Sequence, residues 1–129
     1  MLQRGLVVTL RRNGGVGMIW SSDRGGTVVV PIGGYNGPPR HRAEVRISDP
    51  AEHIACGVSF RYPAARCHLL FRLPAGGADD AQILGFVPPA LLQRIVNAVY
   101  REARAQAEEL RLFLRSPQPT TTVRMAVAV

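Results

Sequence analysis

The sequence predicts a mainly β domain closed by one C-terminal helix, an α+β class chain. Three observations carry that expectation. Short apolar, β-branched runs recur at close spacing through the first two thirds of the chain. Glycine- and proline-rich turns separate them. A single long amphipathic pattern follows Pro88 and Pro89. Five or six such strands and one helix suggest a small barrel-like sheet with the helix packed across it.

The elements follow in order. Gly5–Leu10 is a short apolar strand, and Asn13-Gly14-Gly15 permits a tight turn after it. Val16–Ser21 is the second strand and holds the only tryptophan, Trp20. Thr27–Ile32 is the third and the most β-prone stretch, although Pro31 should fray it or place it at an edge. Gly33–Pro39 is a long turn. His41–Ile47 alternates, with Ala43, Val45 and Ile47 on one side and Arg42, Glu44 and Arg46 on the other. Ser48 or Asp49 can cap a helical turn. Ala64–Leu73 reads as one further strand and Gln82–Phe86 as a brief one. The helix runs from Pro89 or Ala90 to about Leu114. Leu92, Val96, Val99, Ala103, Ala107, Leu110 and Leu114 form its expected apolar seam. Arg101, Arg104, Arg111, Glu102, Glu108 and Glu109 form its expected wet face. Residues 1–115 make one domain, and the tail 116–129 is a candidate added edge strand.

Composition narrows the function. The chain has 129 residues, 47% hydrophobic content and a net charge of +7, and all 16 basic residues are arginines. Seven arginines but only two acids, Asp23 and Glu44, fall within residues 1–46. That excess favours an anionic partner. No apolar run approaches the roughly 20 residues that span a bilayer. The start, Met-Leu-Gln-Arg-Gly, lacks a signal-peptide core, so a cytoplasmic protein is expected. Cys56 and Cys67 should be reduced thiols. His53, Cys56, Cys67 and His68 superficially suggest zinc. Adjacent residues of a strand point to opposite faces, however, so Cys67 and His68 should not converge on a metal, and no metal or cofactor is expected.

The order of elements resembles the MazF/PemK family of toxin-antitoxin endoribonucleases over roughly residues 4 to 105. Arg4-Gly5-Leu6-Val7-Val8 is similar to the family's opening strand. Gly14-Gly15-Val16 with Met18-Ile19 is similar to its second strand, and Thr27–Ile32 to its third. Pro63–Cys67 with Phe71-Arg72-Leu73, and Ile83–Leu92, match later segments. The resemblance implies a small SH3-like barrel of five or six strands, CcdB/MazF-like, usually homodimeric. It implies a growth-inhibitor toxin that cleaves single-stranded RNA without metal, by attack of the 2′-hydroxyl on the neighbouring phosphate. It also implies an acidic antitoxin peptide as partner. The family's arginine of the second strand and its Thr or Ser of the third correspond here to Gly17 and Gly33. Its later serine corresponds to Ala64 and its first-strand acid to Thr9. Replacement groups are therefore expected nearby. His41 and Arg12 are the catalytic candidates. Arg11, Arg24, Arg40, Arg42 and Tyr35 are the RNA-binding candidates. The alternative is a catalytically inactive relative that binds RNA or an antitoxin-like peptide.

Overall fold

The computed structural model describes residues 2–11, 15–34 and 40–115. Arg12, Tyr35 and the 116–129 tail lie outside the described residues. The elements are β1 (Leu6–Leu10), β2 (Gly15–Asp23), β3 (Gly26–Gly34), β4 (Glu44–Arg46), α1 (Pro50–Cys56), β5 (Pro63–Arg66), β6 (Phe71–Pro74), β7 (Gln82–Phe86) and α2 (Pro89–Arg115). The strands form one antiparallel sheet in the order β4-β5-β3-β2-β1-β7, with β6 also paired to β3. The sheet is not closed.

The long strand β3 organises it. Its first half, Gly26–Val29, pairs with β6, and its last residues, Ile32–Gly34, pair with β5. Val30 and Pro31 fall in the interval between these two neighbours. That explains why Pro31 neither frays the strand nor marks a sheet edge: on that side no ladder bond is asked of it.

Both faces of β1–β3 are buried, which is why these strands read as continuous apolar runs rather than alternating ones. One face carries Val7, Met18, Val30 and Ile32 and packs against Leu91, Ile95 and Ala98 of α2, with Ile47 and Cys56. The other carries Val8, Leu10, Ile19 and Val29 and is covered by Leu6, Phe71 and Leu73. Trp20 lies at a register shift between Ile19 and Ser21. It meets Tyr100 of α2 edge-on at 5.8 Å, and the Arg4 guanidinium sits 4.1 Å above its ring.

Four further expectations change. The alternating strand His41–Ile47 shortens to the three residues of β4, Glu44–Arg46. The single strand Ala64–Leu73 is two, because Cys67–Leu70 turns, with the Leu69 N–H donating to the Arg66 carbonyl. The helical turn at 48–52 is a full helix, α1: Asp49 caps it by accepting from Ala51 and Glu52, and Gly57 ends it in the left-handed region at φ 71°. The buried stripe of α2 is Leu91, Ile95, Ala98, Val99 and Glu102, which keeps Val99 of the expected seam and otherwise lies one residue earlier. Leu110 and Leu114 are exposed, and Glu102 is buried rather than on the wet face.

Candidate functional site

The register of β3, β5 and β4 builds one end of the site. Gly33 lies opposite Ala64, and Arg66 lies opposite Glu44. The Arg66 side chain crosses back over β3, so that a Cβ on Gly33 would stand 2.6 Å from its Nη2 and 3.0 Å from its Cζ. A guanidinium therefore occupies the space that a side chain at Gly33 would take.

The other positions named by the resemblance are closed in different ways. A Cβ on Gly17 would stand 2.3 Å from Cγ1 of the fully buried Val29. Ala64 is buried. The Thr9 hydroxyl donates to the Gly15 carbonyl at 3.4 Å.

A second cluster joins the segment before β4, the turn after β5 and the middle of α2. His41 and His68 stack with ring centroids 3.7 Å apart and planes 9° from parallel. His41 Nδ1 accepts the Ala43 N–H at 3.0 Å, so the ring's proton sits on Nε2, which faces Glu102 Oε1 at 3.8 Å. Glu102 is clasped by Arg42, whose Nε donates to Oε2 at 2.8 Å and Nη2 to Oε1 at 3.1 Å. Gln106 donates to the same carboxylate. Arg42 also reaches Glu109 at 2.7 Å. The Arg42 hydrogen bonds hold the Glu102 carboxyl below its usual range against the opposing effect of burial, and Arg42 is raised in turn. His68 is lowered by burial first and by His41 second. Its Nδ1 is buried without a hydrogen-bond partner.

These shifts set a pH dependence. A histidine lowered from 6.5 takes up its proton more readily unfolded than folded, so the stability it contributes is present above pH 6.5 and lost as pH falls through its folded value. Glu102, lowered from 4.5, contributes stability present above pH 4.5 and lost further into acid. Thermal unfolding midpoints should therefore begin to fall once the pH drops below 6.5. His68→Asn should flatten that first decline and leave the more acidic one. An unchanged profile in the variant would refute the assignment.

The expected site residues do not all converge. Arg11 and Arg24 are exposed in the turns that precede and follow β2. The nine residues of β2 separate them, about 30 Å at the usual rise. Arg24 lines a separate concavity with Asp23, Thr27 and Asp79. Arg40 and Arg42 flank His41. The Arg40 N–H donates to Glu44, and Arg42 is committed to Glu102 and Glu109. The brought-together group is His41, His68, Glu102 and Arg42, with Arg66 and Glu44 on the adjoining strands. The sequence pattern alone does not select Arg66 or Glu102 as site residues and raises His68 only as a zinc ligand, which it sets aside. Glu102 carried a signal: it continues the Leu91, Ile95, Ala98 spacing as a lone acid in an apolar stripe.

Among the described residues no group of three or more His, Cys, Asp or Glu is placed to hold a metal ion. Burial pushes the Cys56 thiol up to about 11 and the Cys67 thiol up to about 12, so neither is primed as a nucleophile. No described helix is long and apolar enough to cross a membrane. No family model matches the chain, and no curated protein matches it.

Proposed function

We propose that this chain is a divergent MazF/PemK-like growth-inhibitor toxin on a small SH3-like barrel, acting in the cytoplasm as a metal-independent endoribonuclease on single-stranded RNA. The observation that carries the reading is the Arg66 guanidinium lying over Gly33. A cation from β5 stands where the resemblance calls for a functional side chain of β3, with a histidine pair on the adjoining segments.

Cleavage of this kind forms an O2′–P bond and breaks the P–O5′ bond. One group removes the 2′ proton, another returns a proton to O5′, and a cation holds the phosphorane oxygens. Arg66 is suited to the last role because its planar donors match a phosphate. His41 and Arg12 are the candidates for proton transfer and for a second phosphate contact. To serve as a base, His41 must release the Ala43 N–H from Nδ1, a local change in the segment before β4.

Incubation with a mixed RNA in EDTA should give fragments ending in 2′,3′-cyclic phosphate. His41→Ala and Arg12→Ala should each slow cleavage at least about tenfold. Unchanged rates would remove these two residues from the mechanism.

A second reading is favoured by two observations: Gly17 is packed shut by Val29, and both ring nitrogens of His41 already face partners. On that reading the chain is a catalytically silent relative that binds RNA or an antitoxin-like acidic peptide. It then retains RNA without cutting it, with an affinity that falls steeply with salt.

A further inference from the structure

The end of β4, helix α1 and the segment leading into β5 enclose a cavity of about 200 Å³. Ile47 and Pro63 form its base. Both are buried, and the Ile47 N–H donates to the Pro63 carbonyl at 2.9 Å, which ties the two segments together. Arg46, Ser48, His53, Arg61 and Tyr62 supply the rest of the lining.

The charge of this cavity is one-sided. Two arginines line it, and among the described residues no acid does. The acids nearest in sequence are engaged elsewhere. Glu44 accepts the Arg40 N–H at 3.1 Å, Asp49 caps α1, and Glu52 is paired with Arg94 at 2.6 Å. One guanidinium fork satisfies a carboxylate. Two guanidinium groups and the Ser48 hydroxyl instead match the double charge and three terminal oxygens of a phosphomonoester.

Size and the remaining side chains narrow the ligand further. The cavity is smaller than the roughly 300 Å³ at which pockets begin to enclose a whole small ligand. A phosphate and its sugar fill it, and an attached ring stays outside. Tyr62, 51% exposed, offers a flat face there. His53 Nε2 donates to the Val58 carbonyl at 3.1 Å, since a carbonyl only accepts, and Nδ1 is left as an acceptor suited to a sugar hydroxyl.

We infer that this cavity is a binding site for a nucleoside 5′-monophosphate group, with Arg46, Arg61 and Ser48 on the phosphate and Tyr62 against the base. A free nucleotide and the 5′-phosphorylated end of a strand carry the same group. Arg46 pairs with Ala64, and Ala64 with Gly33, so Arg46 lies two strand spacings, about 10 Å, from the Arg66–Gly33 end. The site is read by binding alone and does not depend on cleavage.

Titration calorimetry of the full chain should show 5′-AMP bound at least about tenfold more tightly than adenosine or inorganic phosphate, and Arg46→Ala and Arg61→Ala should each weaken it at least about tenfold. Tyr62→Ala should weaken 5′-AMP but leave inorganic phosphate unchanged. Arg104→Ala, on the exposed face of α2, should change nothing. Arg61 and Tyr62 are exposed, so their variants decide the matter if circular dichroism finds Arg46→Ala unfolded. A short deoxyoligonucleotide, which has no 2′-hydroxyl to attack, separates the two sources. Tighter binding of its 5′-phosphorylated form than of 5′-AMP assigns the site to strand ends, and weaker binding assigns it to the free nucleotide. No binding of 5′-AMP, equal binding of adenosine, or indifference to Arg61→Ala would overturn the proposal. So would equal binding of the 5′-hydroxyl and 5′-phosphorylated strands that Arg61→Ala weakens alike, since internal phosphodiesters would then occupy the arginines. None of these results bears on Arg66.

Discussion

Gly17→Arg, which installs the arginine that the MazF/PemK resemblance calls for, is expected to destabilise the protein by more than about 3 kcal/mol and to add no activity to the parent's. Gly17 lies between Val8 of β1 and Pro31 of β3, and a side chain there enters the layer formed by Val8, Ile19 and Val29. The nearest obstacle, Val29 Cγ1 at 2.3 Å from an ideal Cβ, belongs to a β-branched residue with no exposed surface, and the Val30 carbonyl oxygen lies at 3.0 Å. Neither can step aside as a flexible chain end would. A guanidinium forced into that layer would also lose its water without gaining a partner. Gly33→Ser is the informative contrast. Its obstacle is the end of the Arg66 side chain, which can swing away, so stability should change by less than about 1 kcal/mol while Arg66 is displaced. Chemical denaturation of the two variants separates these outcomes. A Gly17→Arg protein as stable as the parent would overturn the packing account of β2.

Glu102→Ala is expected to cost about 2 kcal/mol, because it removes a buried carboxylate that accepts two hydrogen bonds from Arg42 and one from Gln106. The cost stays below that of orphaning a fully buried ion, since Arg42 is 54% exposed and can return to water. The larger consequence is local. Glu102 ties the segment before β4 to α2, and it is the carboxylate facing His41 Nε2. Without it the His41–His68 stack should loosen, visible as faster amide exchange at Ala43, whose N–H is held by His41. Glu102→Gln keeps the shape and should recover most of the stability. If Ala43 exchanges equally slowly in parent and Ala variant, Glu102 is not the tie that holds this corner.

Much of the scaffold was legible because its signals are local. β1, β2 and β3 are apolar runs ended by glycine turns, β7 is a short run before two prolines, and α2 starts at Pro89. The break between β5 and β6 was hidden because Cys67-His68-Leu69-Leu70 has strand-like composition and no glycine or proline. It turns because β3 changes neighbours, which is a tertiary fact. That same turn brings His68 beside His41, so the histidine pair was invisible for the same reason. In α2 two stripes competed. The seam through Leu92, Ala103 and Leu114 is longer and wholly apolar. The core uses the one through Leu91, Ile95 and Glu102, where Arg42, sixty positions away, offsets the acid's burial. The basic residues were visible one by one. Their separation to opposite ends of β2, or their commitment to acids, required the sheet register.

On the proposed reading, Arg66 has taken over the position left empty at Gly33 in an RNA-cleaving site. Single-turnover cleavage of a mixed single-stranded RNA in EDTA tests it most directly, comparing the parent with Arg66→Ala under conditions where circular dichroism finds both folded. The parent should produce 2′,3′-cyclic phosphate ends, and Arg66→Ala should be slower by about 100-fold, the usual loss on removing one transition-state donor. No product from the parent at large enzyme excess, or equal rates for parent and variant, would contradict the account.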